Sequence, residues 1–437
     1  MNDEKEKIEE FEIEEIENFA DLDAASGKKR KKKKQPSFLL GILLGIVIGL
    51  AVIVGFFTFF SVRNQAVSAV ESQSYYSKIN LILQYLNLFY LGDLDDETIE
   101  TALAKGLLSG IGDKYAEYYT EEEFNDLKEQ TSGEYSGIGV SIVQTDDIRF
   151  LVYEVFEDTP AYEAGIEVGD YIVEACGERE VADLDTLVAL VRGEPGTEVD
   201  IVIERDGEEI PLTLERQTLE TESVYAEMLN DDIGYIEISS FATSTVTQLD
   251  SAIDELLDAG MTSLIFDVRS NSGGDYDSVV AIIDRLVPEG VIVTVKDNMG
   301  VVQTERSDAT CLDIPMVVLV DQNTASAAEL FTMALRDYGM ADVVGVTTYG
   351  KGIVQSIFSL PDGTGMKFTT EEYYGPAGVC IHETGIEPDY VVEFSEEALA
   401  DNVITIDEDT QMEKAVELLG GDWQQILDKY MTDETEE

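Results

Sequence analysis

The run from Phe38 to Phe60 is almost unbroken in apolar residues and directly follows a basic block, Lys28, Lys29, Arg30 and Lys31 through Lys34. As a helix the run is about 34 Å long, enough for a bilayer core of about 30 Å. A buried core helix fits poorly, because such helices seldom lack a polar face over this length or follow so many cations. A cleaved signal peptide is the closer rival. Its apolar stretch spans only roughly 7–15 residues, however, and Ala66 to Ala69 make a weak cleavage site. The reading is therefore a retained transmembrane anchor at 38–62. Cations before the span and acids after it place the N-terminus in the cytoplasm and the rest outside. Residues 1–37 are then an acidic, later basic, cytoplasmic head. Its acidic part, Asp3 to Asp23, reads as a solvated tail or a docking helix.

The chain as a whole is strongly acidic, with 90 Asp and Glu against 28 Lys and Arg and a formal charge of −62. Such a surface repels nucleic acid and anionic lipid, so neither is an expected partner of the folded part. A salty habitat is a second explanation of the same number. With 44% hydrophobic residues the chain is globular rather than disordered. Cys176, Cys311 and Cys380 are few and scattered, with neither metal spacing nor a disulfide framework, and are expected to be buried small hydrophobes. A single histidine, His382, makes the common zinc sites improbable. No metal or other cofactor is expected.

Residues 75–132 read as helical, with apolar positions at helical spacing from Thr98 to Leu108 and a tyrosine cluster at 115–119. From Ser136 to about Arg216 the pattern changes to short strands. Gly137, Ile138, Gly139 and Val140 open one, Phe150 to Val155 is a second, and Ala161 to Ala164 starts a short helix. A helix from Leu184 to Arg192 precedes two strands joined at Asp206-Gly207, a hairpin turn. This order resembles a PDZ domain over 133–218, with Gly137-Ile-Gly-Val140 in place of its carboxylate-binding loop. The resemblance implies capture of a peptide tail, whose carboxylate meets exposed amides while the peptide extends the sheet. The plainer reading is that Gly137 and Gly139 only turn the chain.

From Glu222 onward strands and helices alternate as in an α/β core. Ile233 to Ile238 is a strand, and Thr245 to Asp258 a helix with Leu249, Ile253 and Leu257 on one face. Ser263 to Val268 and Pro315 to Val320 are further strands, and a helix starts near Ser326. Met412 to Met431 reads as helix, followed by an acidic tail.

In Asp321-Gln-Asn-Thr-Ala-Ser-Ala-Ala-Glu-Leu330 an apolar strand gives way to turn formers and then a helix. Amides at the positive end of that helix suit an oxyanion. Serine is equally a favoured N-cap, so position alone does not decide. Gly350-Lys-Gly-Ile-Val-Gln355 sets a lysine between glycines. It is not a phosphate loop, because Gly352 stands where the magnesium-binding hydroxyl should be.

These residues resemble the C-terminal processing (tail-specific) peptidase family. The pattern around its nucleophile stands here as Thr324-Ala-Ser-Ala-Ala-Glu329, and its G-K-G-x-V-Q pattern as Gly350 to Gln355. The separation of Ser326 and Lys351 is also the family's. Asp337, the loop Asp267-Val-Arg-Ser-Asn-Ser-Gly-Gly274 and Gly385-Ile-Glu-Pro-Asp389 match further motifs. Gly112-Asp-Lys-Tyr-Ala-Glu-Tyr118 matches D-x-Y-S-x-Y, with Ala116 replacing Ser.

The resemblance, over about 75–395, implies an α/β, crotonase-like peptidase core at 219–395 with an inserted PDZ domain; the transmembrane helix read from the apolar run precedes it. A helical segment and acidic tail at 396–437 complete the chain. It further implies Ser326 as nucleophile, Lys351 as general base and Gln355 as the residue that orients the lysine. The oxyanion hole would combine the Ala327 amide with that of Gly273 or Gly274. The PDZ domain would engage the substrate tail and gate the site. A lysine acts as a base only when neutral, so a pKa near 10.4 must fall toward about 7, a shift worth roughly 4–5 kcal/mol. Burial with neutral partners such as Gln355 supplies this, whereas a close carboxylate would defeat it. Asp337 is therefore expected to support structure, through Arg336 or as a cap, rather than touch Lys351. His382 lacks any paired motif for a Ser–His mechanism.

The expected protein is a membrane-anchored serine endopeptidase acting on unstructured C-terminal protein tails outside the membrane, and a homo-oligomer is compatible with the sequence. A catalytically silent, membrane-anchored PDZ scaffold is the competing reading, disfavoured by the intact Ser326, Lys351 and Gln355. A crotonase-type acyl-CoA enzyme suffers from the external location and the two peptidase motifs.

Overall fold

The computed structural model describes residues 74–145, 148–395, 398 and 404–433. The expected membrane span at 38–62, the head at 1–37 and the end of the acidic tail lie outside those residues. Among the described residues no helix is long and apolar enough to cross a membrane. The chain divides into two compact units, 1–95 and 96–437. The described part of the first is the helix Ser74–Phe89, on which Tyr85 and Leu88 are exposed.

In the second unit a six-stranded sheet forms the base of the core. Its order is Tyr390–Val391, Ala341–Gly345, Met316–Val320, Ser263–Asp267, Ile233–Ile238 and Val224–Met228. All neighbours are parallel except the last pair. Side chains alternate across a strand, so a sheet covered on both sides needs apolar residues at every position. Met316–Val320 shows this. Met316, Val318 and Val320 face a cluster with the helices Thr243–Asp258, Tyr276–Leu286 and Ala327–Asp337, while Val317 and Leu319 face the C-terminal helices. A second sheet holds Glu117–Tyr119, Gly365–Tyr374, Gly290–Asp297, Val302–Ser307 and Ile353–Ser359.

A separate antiparallel sheet of five strands holds Val140–Gln144, Phe150–Val155, Tyr171–Ala175, Glu198–Arg205 and Glu208–Glu215. It has its own core, in which Leu187 and Val191 of the helix Leu184–Val191 pack on Val152, Ile172 and Ile201. Val140–Gln144 is an edge strand. The chain enters and leaves this module through one two-stranded ribbon, Glu134–Gly137 against Gln217–Glu220. The Thr221 amide closes the ribbon onto the Gly133 carbonyl at 2.7 Å.

Several local expectations change. Glu117–Tyr119 is a strand within the region expected to be helical, pairing with Gly365–Lys367 and burying Tyr118 and Tyr119. Met412 to Met431 is two helices, Thr410–Leu418 and Trp423–Asp433, interrupted at Gly420 and Gly421. On Thr243–Asp258 the buried stripe is Leu249, Ile253 and Leu256, and Leu257 is exposed, because the stripe follows three- and four-residue steps. Cys176 is exposed and Cys311 and Cys380 are half-buried, rather than buried small hydrophobes; all three are free thiols. Cys176 occupies a tight turn at φ 51°, which turns it out of the core.

Candidate active site

The loop Asp267 to Gly274 is bolted to the turn before Ala327–Asp337. Asp321 accepts from the amides of Ser270 and Thr324, each at 2.9 Å. The Thr324 hydroxyl donates to the Val268 carbonyl at 2.8 Å, and the Ala325 amide to the Asn271 carbonyl at 2.9 Å. Asn271 is fully buried, donates to the Ile238 carbonyl and accepts from the Gly273 amide at 2.8 Å.

Ser326 follows at φ 56°, in the left-handed region, where a non-glycine residue is strained. Its hydroxyl makes no capping bond to the helix, so the N-cap reading of its side chain falls away. Its backbone is held at both ends. The amide donates to Glu329 Oε2 at 2.9 Å, and the carbonyl accepts from the buried Tyr373 hydroxyl at 3.0 Å.

Glu329 is the junction of the site. Its carboxylate is fully buried, yet it also receives the amides of Gly350 at 2.7 Å and Lys351 at 2.8 Å and the Thr348 hydroxyl at 2.5 Å. One side chain therefore fixes the backbone of Ser326 and of Lys351 together. In the sequence Glu329 stands out only as the last residue of the Thr324–Glu329 motif. Its spacing three residues into the helix was the available signal, since that is where a capping-box glutamate reaches back.

Lys351 is half-buried, and its ammonium lies over the Tyr115 ring, 4.7 Å from the centroid. Burial pulls its pKa below the usual lysine range. The charges of Lys367 and Lys114 act in the same direction, and Tyr349 and Glu329 oppose them. Tyr115 is held by Asp113, whose carboxylate accepts the Tyr115 amide at 2.9 Å and the Thr369 amide at 2.8 Å. The D-x-Y motif thus builds a cover for the lysine, a role not legible from its spacing.

Ser326, Ala327, Lys351, Gln355, Gly273 and Gly274 all line one cleft of about 1050 Å³. The Gln355 amide nitrogen donates to the Ile353 carbonyl at 3.3 Å, so the expected hold on Lys351 is not made by that bond. A bulge at Val354/Gln355 sets Gln355 opposite Thr369 on the sheet face. The two glycines differ. The Gly273 amide is occupied by Asn271, whereas Gly274 shares with Ala327 an amide that donates to none of the described residues. Asp337 accepts the Ala377 amide at 3.0 Å, a structural tie as expected, made to a turn rather than to Arg336. Arg336 instead donates to the Glu387 carbonyl. His382 is not among the residues lining the cleft, and its buried Nδ1 has no hydrogen-bond partner among the described residues.

Gly137, Ile138, Gly139 and Val140 lie elsewhere, on the approach to the edge strand. Ile138 is buried in the module's core, and the carbonyls of Ile138 and Gly139 accept from Ala161 and Phe156. The helix Leu184–Val191 borders both the module's core and the cleft that holds Ser326. Leu187 and Val191 pack inward, while Asp185, Val188, Ala189 and the following Arg192 line that cleft. Arg192 pairs with Glu129 of the helix Glu121–Ser132 at 2.7 Å.

An α/β core is interrupted by a separate five-stranded module, and its cleft is lined by both a strained helix-start serine and a half-buried lysine. The profile of peptidase family S41 matches residues 232–392, and that of the PDZ domain matches residues 136–215. The carboxy-terminal processing protease CtpA of Bacillus subtilis (strain 168) is 31% identical over 364 residues, covering 82% of this chain and 78% of that protein. A probable CtpA-like serine protease of Staphylococcus haemolyticus is 32% identical over 370 residues, covering 84% and 74%. The solved photosystem II D1 C-terminal processing protease is 27% identical, covers 74% of this chain and 88% of that one, and superposes with a TM-score of 0.44. The chain belongs to peptidase family S41, among the C-terminal processing serine proteases.

Gly273→Ala tests how tightly the site is built. An added Cβ would sit 2.8 Å from the Ala325 carbonyl and the Ser326 Cβ, at a φ of 103° that disfavours any side chain. Peptidase turnover is expected to fall by about 100-fold, and stability by roughly 1–3 kcal/mol. Initial rates and thermal melting read the two effects separately.

Proposed function

We propose that this chain is a membrane-anchored endopeptidase that cleaves proteins near unstructured C-terminal tails through a Ser326–Lys351 acyl-enzyme mechanism. The observation that carries the reading is the Glu329 carboxylate, which ties the strained Ser326 and the amine-bearing Lys351 into one rigid unit on one cleft. Neutral Lys351 takes the Ser326 hydroxyl proton as the oxygen attacks the scissile carbonyl. The oxyanion is received by the amides of Ala327 and Gly274, the two left unoccupied. Lys351 then passes its proton to the leaving amine. Water, deprotonated by the same amine, hydrolyses the acyl-enzyme and restores Ser326.

The tail adds to the edge strand Val140–Gln144, next to the loop Gly137 to Val140. Because the helix Leu184–Val191 borders both that edge and the cleft, tail binding and access to Ser326 are coupled through it. The apolar run Phe38 to Phe60, preceded by its cations, supports an anchor with a cytoplasmic N-terminus and an external catalytic part.

The test uses the full chain in detergent with an unfolded reporter ending in an apolar free carboxylate. An amidated reporter is the control. Cleavage of the free-tail form is expected to be about tenfold faster, and a fluorophosphonate is expected to modify Ser326. A chain inert toward both reporters, with no modified serine, would support the silent scaffold instead.

A further inference from the structure

Lys367 reaches the cleft from the second sheet. On Gly365–Tyr374 it lies opposite Ile357 on one side and Glu117 on the other, and Thr369 lies opposite Gln355. Directly opposed residues of an antiparallel pair share a face, as do alternate residues along a strand. Gln355, Ile357, Lys367 and Thr369 therefore present one face, and the first three line the cleft with Ser326 and Lys351.

Its charge is weakly neutralised. The nearest carboxylate oxygen, on Glu117, is 4.0 Å from Nζ, and the Glu117 side chain is 60% exposed. Its other contact is the Tyr119 ring, 5.4 Å from Nζ to the centroid. Arg192, also in the cleft wall, is paired at 2.7 Å. Among the described residues no carboxylate comes closer to the Lys367 ammonium than the exposed Glu117.

We propose that Lys367 is a positioning residue for the base, its ammonium charge opposing protonation of Lys351 within the shared cleft. This rests on the reading of Lys351 as the base. Among the groups acting on Lys351, burial comes first and Lys367 is the foremost charge. Lys114 acts in the same sense, and Tyr349 and Glu329 in the opposite one. Tyr115 covers the amine with its ring, and Asp113 beside it feels the Lys351 charge.

Only the neutral amine is active, so removing a neighbouring positive charge must raise the pH at which activity appears. In the full chain, Lys367→Gln is expected to move the acid limb of kcat/KM upward by about 0.5–1 pH unit, a three- to tenfold loss below the limb. Lys367→Arg is expected to leave the limb in place. The pH dependence of Ser326 modification by a fluorophosphonate should shift equally, without any peptide binding step. A limb that does not move in Lys367→Gln, or a loss uniform across pH, overturns the inference. Lys351→Ala separates it from the reading beneath: an active Lys351→Ala removes the base itself. An inactive one beside an unmoved Lys367→Gln limb removes only the role of Lys367.

Discussion

Ser326→Ala is expected to lower peptidase turnover by at least about 10⁴-fold, and Lys351→Ala by a similar factor. In the proposed mechanism nucleophile and base act as one unit, so the double variant should be no worse than either single one. Lys351→Arg should fail as completely, because a guanidinium is never neutral in a protein. Neither alanine variant should unfold the protein. The Ser326 hydroxyl makes no capping bond, and the Lys351 ammonium meets an aromatic face in a pocket that penalises its charge. Melting temperatures should therefore stay within a few degrees of wild type. Turnover above a tenth of wild type in Ser326→Ala would end the nucleophile assignment. The same result in Lys351→Ala would end that of the base.

Glu329→Ala should produce the second largest effect and, unlike the first, should damage both rate and stability. The substitution strands three amides and a hydroxyl inside a fully buried pocket. Buried donors left without partners cost about 1–3 kcal/mol each before relaxation, so a loss of roughly 3–5 kcal/mol is expected. Turnover should fall by at least about 100-fold, because the Ser326 and Lys351 loops lose their common tether. Glu329→Gln keeps the volume but turns an NH₂ toward donors. It should fold more stably than the alanine variant and still lose about tenfold or more in rate. Urea unfolding with parallel rate measurements distinguishes the two contributions. A stable Glu329→Ala with wild-type turnover would show that the tether is dispensable.

The sequence was most legible where a periodic pattern had only one way to be buried. Continuous apolar strands such as Met316–Val320 and the stripe containing Leu249 and Ile253 demanded a sheet covered on both faces, and the structure has one. Six residues named for the chemistry line a single cleft: Gly273, Gly274, Ser326, Ala327 and Lys351 lie on loops that follow neighbouring parallel strands, and Gln355 comes from the antiparallel strand Ile353–Ser359. What escaped was set by distant partners. Glu117–Tyr119 is too short to carry its own period, and becomes a strand only because Gly365–Lys367 offers it an edge. Tyr115 and Tyr373 act on Lys351 and Ser326 across long stretches of chain, which no local spacing encodes. Nor could composition choose between Gly273 and Gly274. That choice depends on where the Asn271 side chain turns.

The ribbon formed by Glu134–Gly137 and Gln217–Glu220 has a consequence for substitutions in the module. The module it carries contributes no strand to either sheet of the surrounding core, and receives none from them. The insertion therefore joins its host at a single seam, where entry and exit lie side by side. Substitutions on the edge strand Val140–Gln144 leave the hydrogen bonds around Ser326 untouched, because no strand pairing links the module to the sheets of the core. The helix Leu184–Val191, packed in the module's core on one side and lining the cleft on the other, is where a change in the module can still reach Ser326.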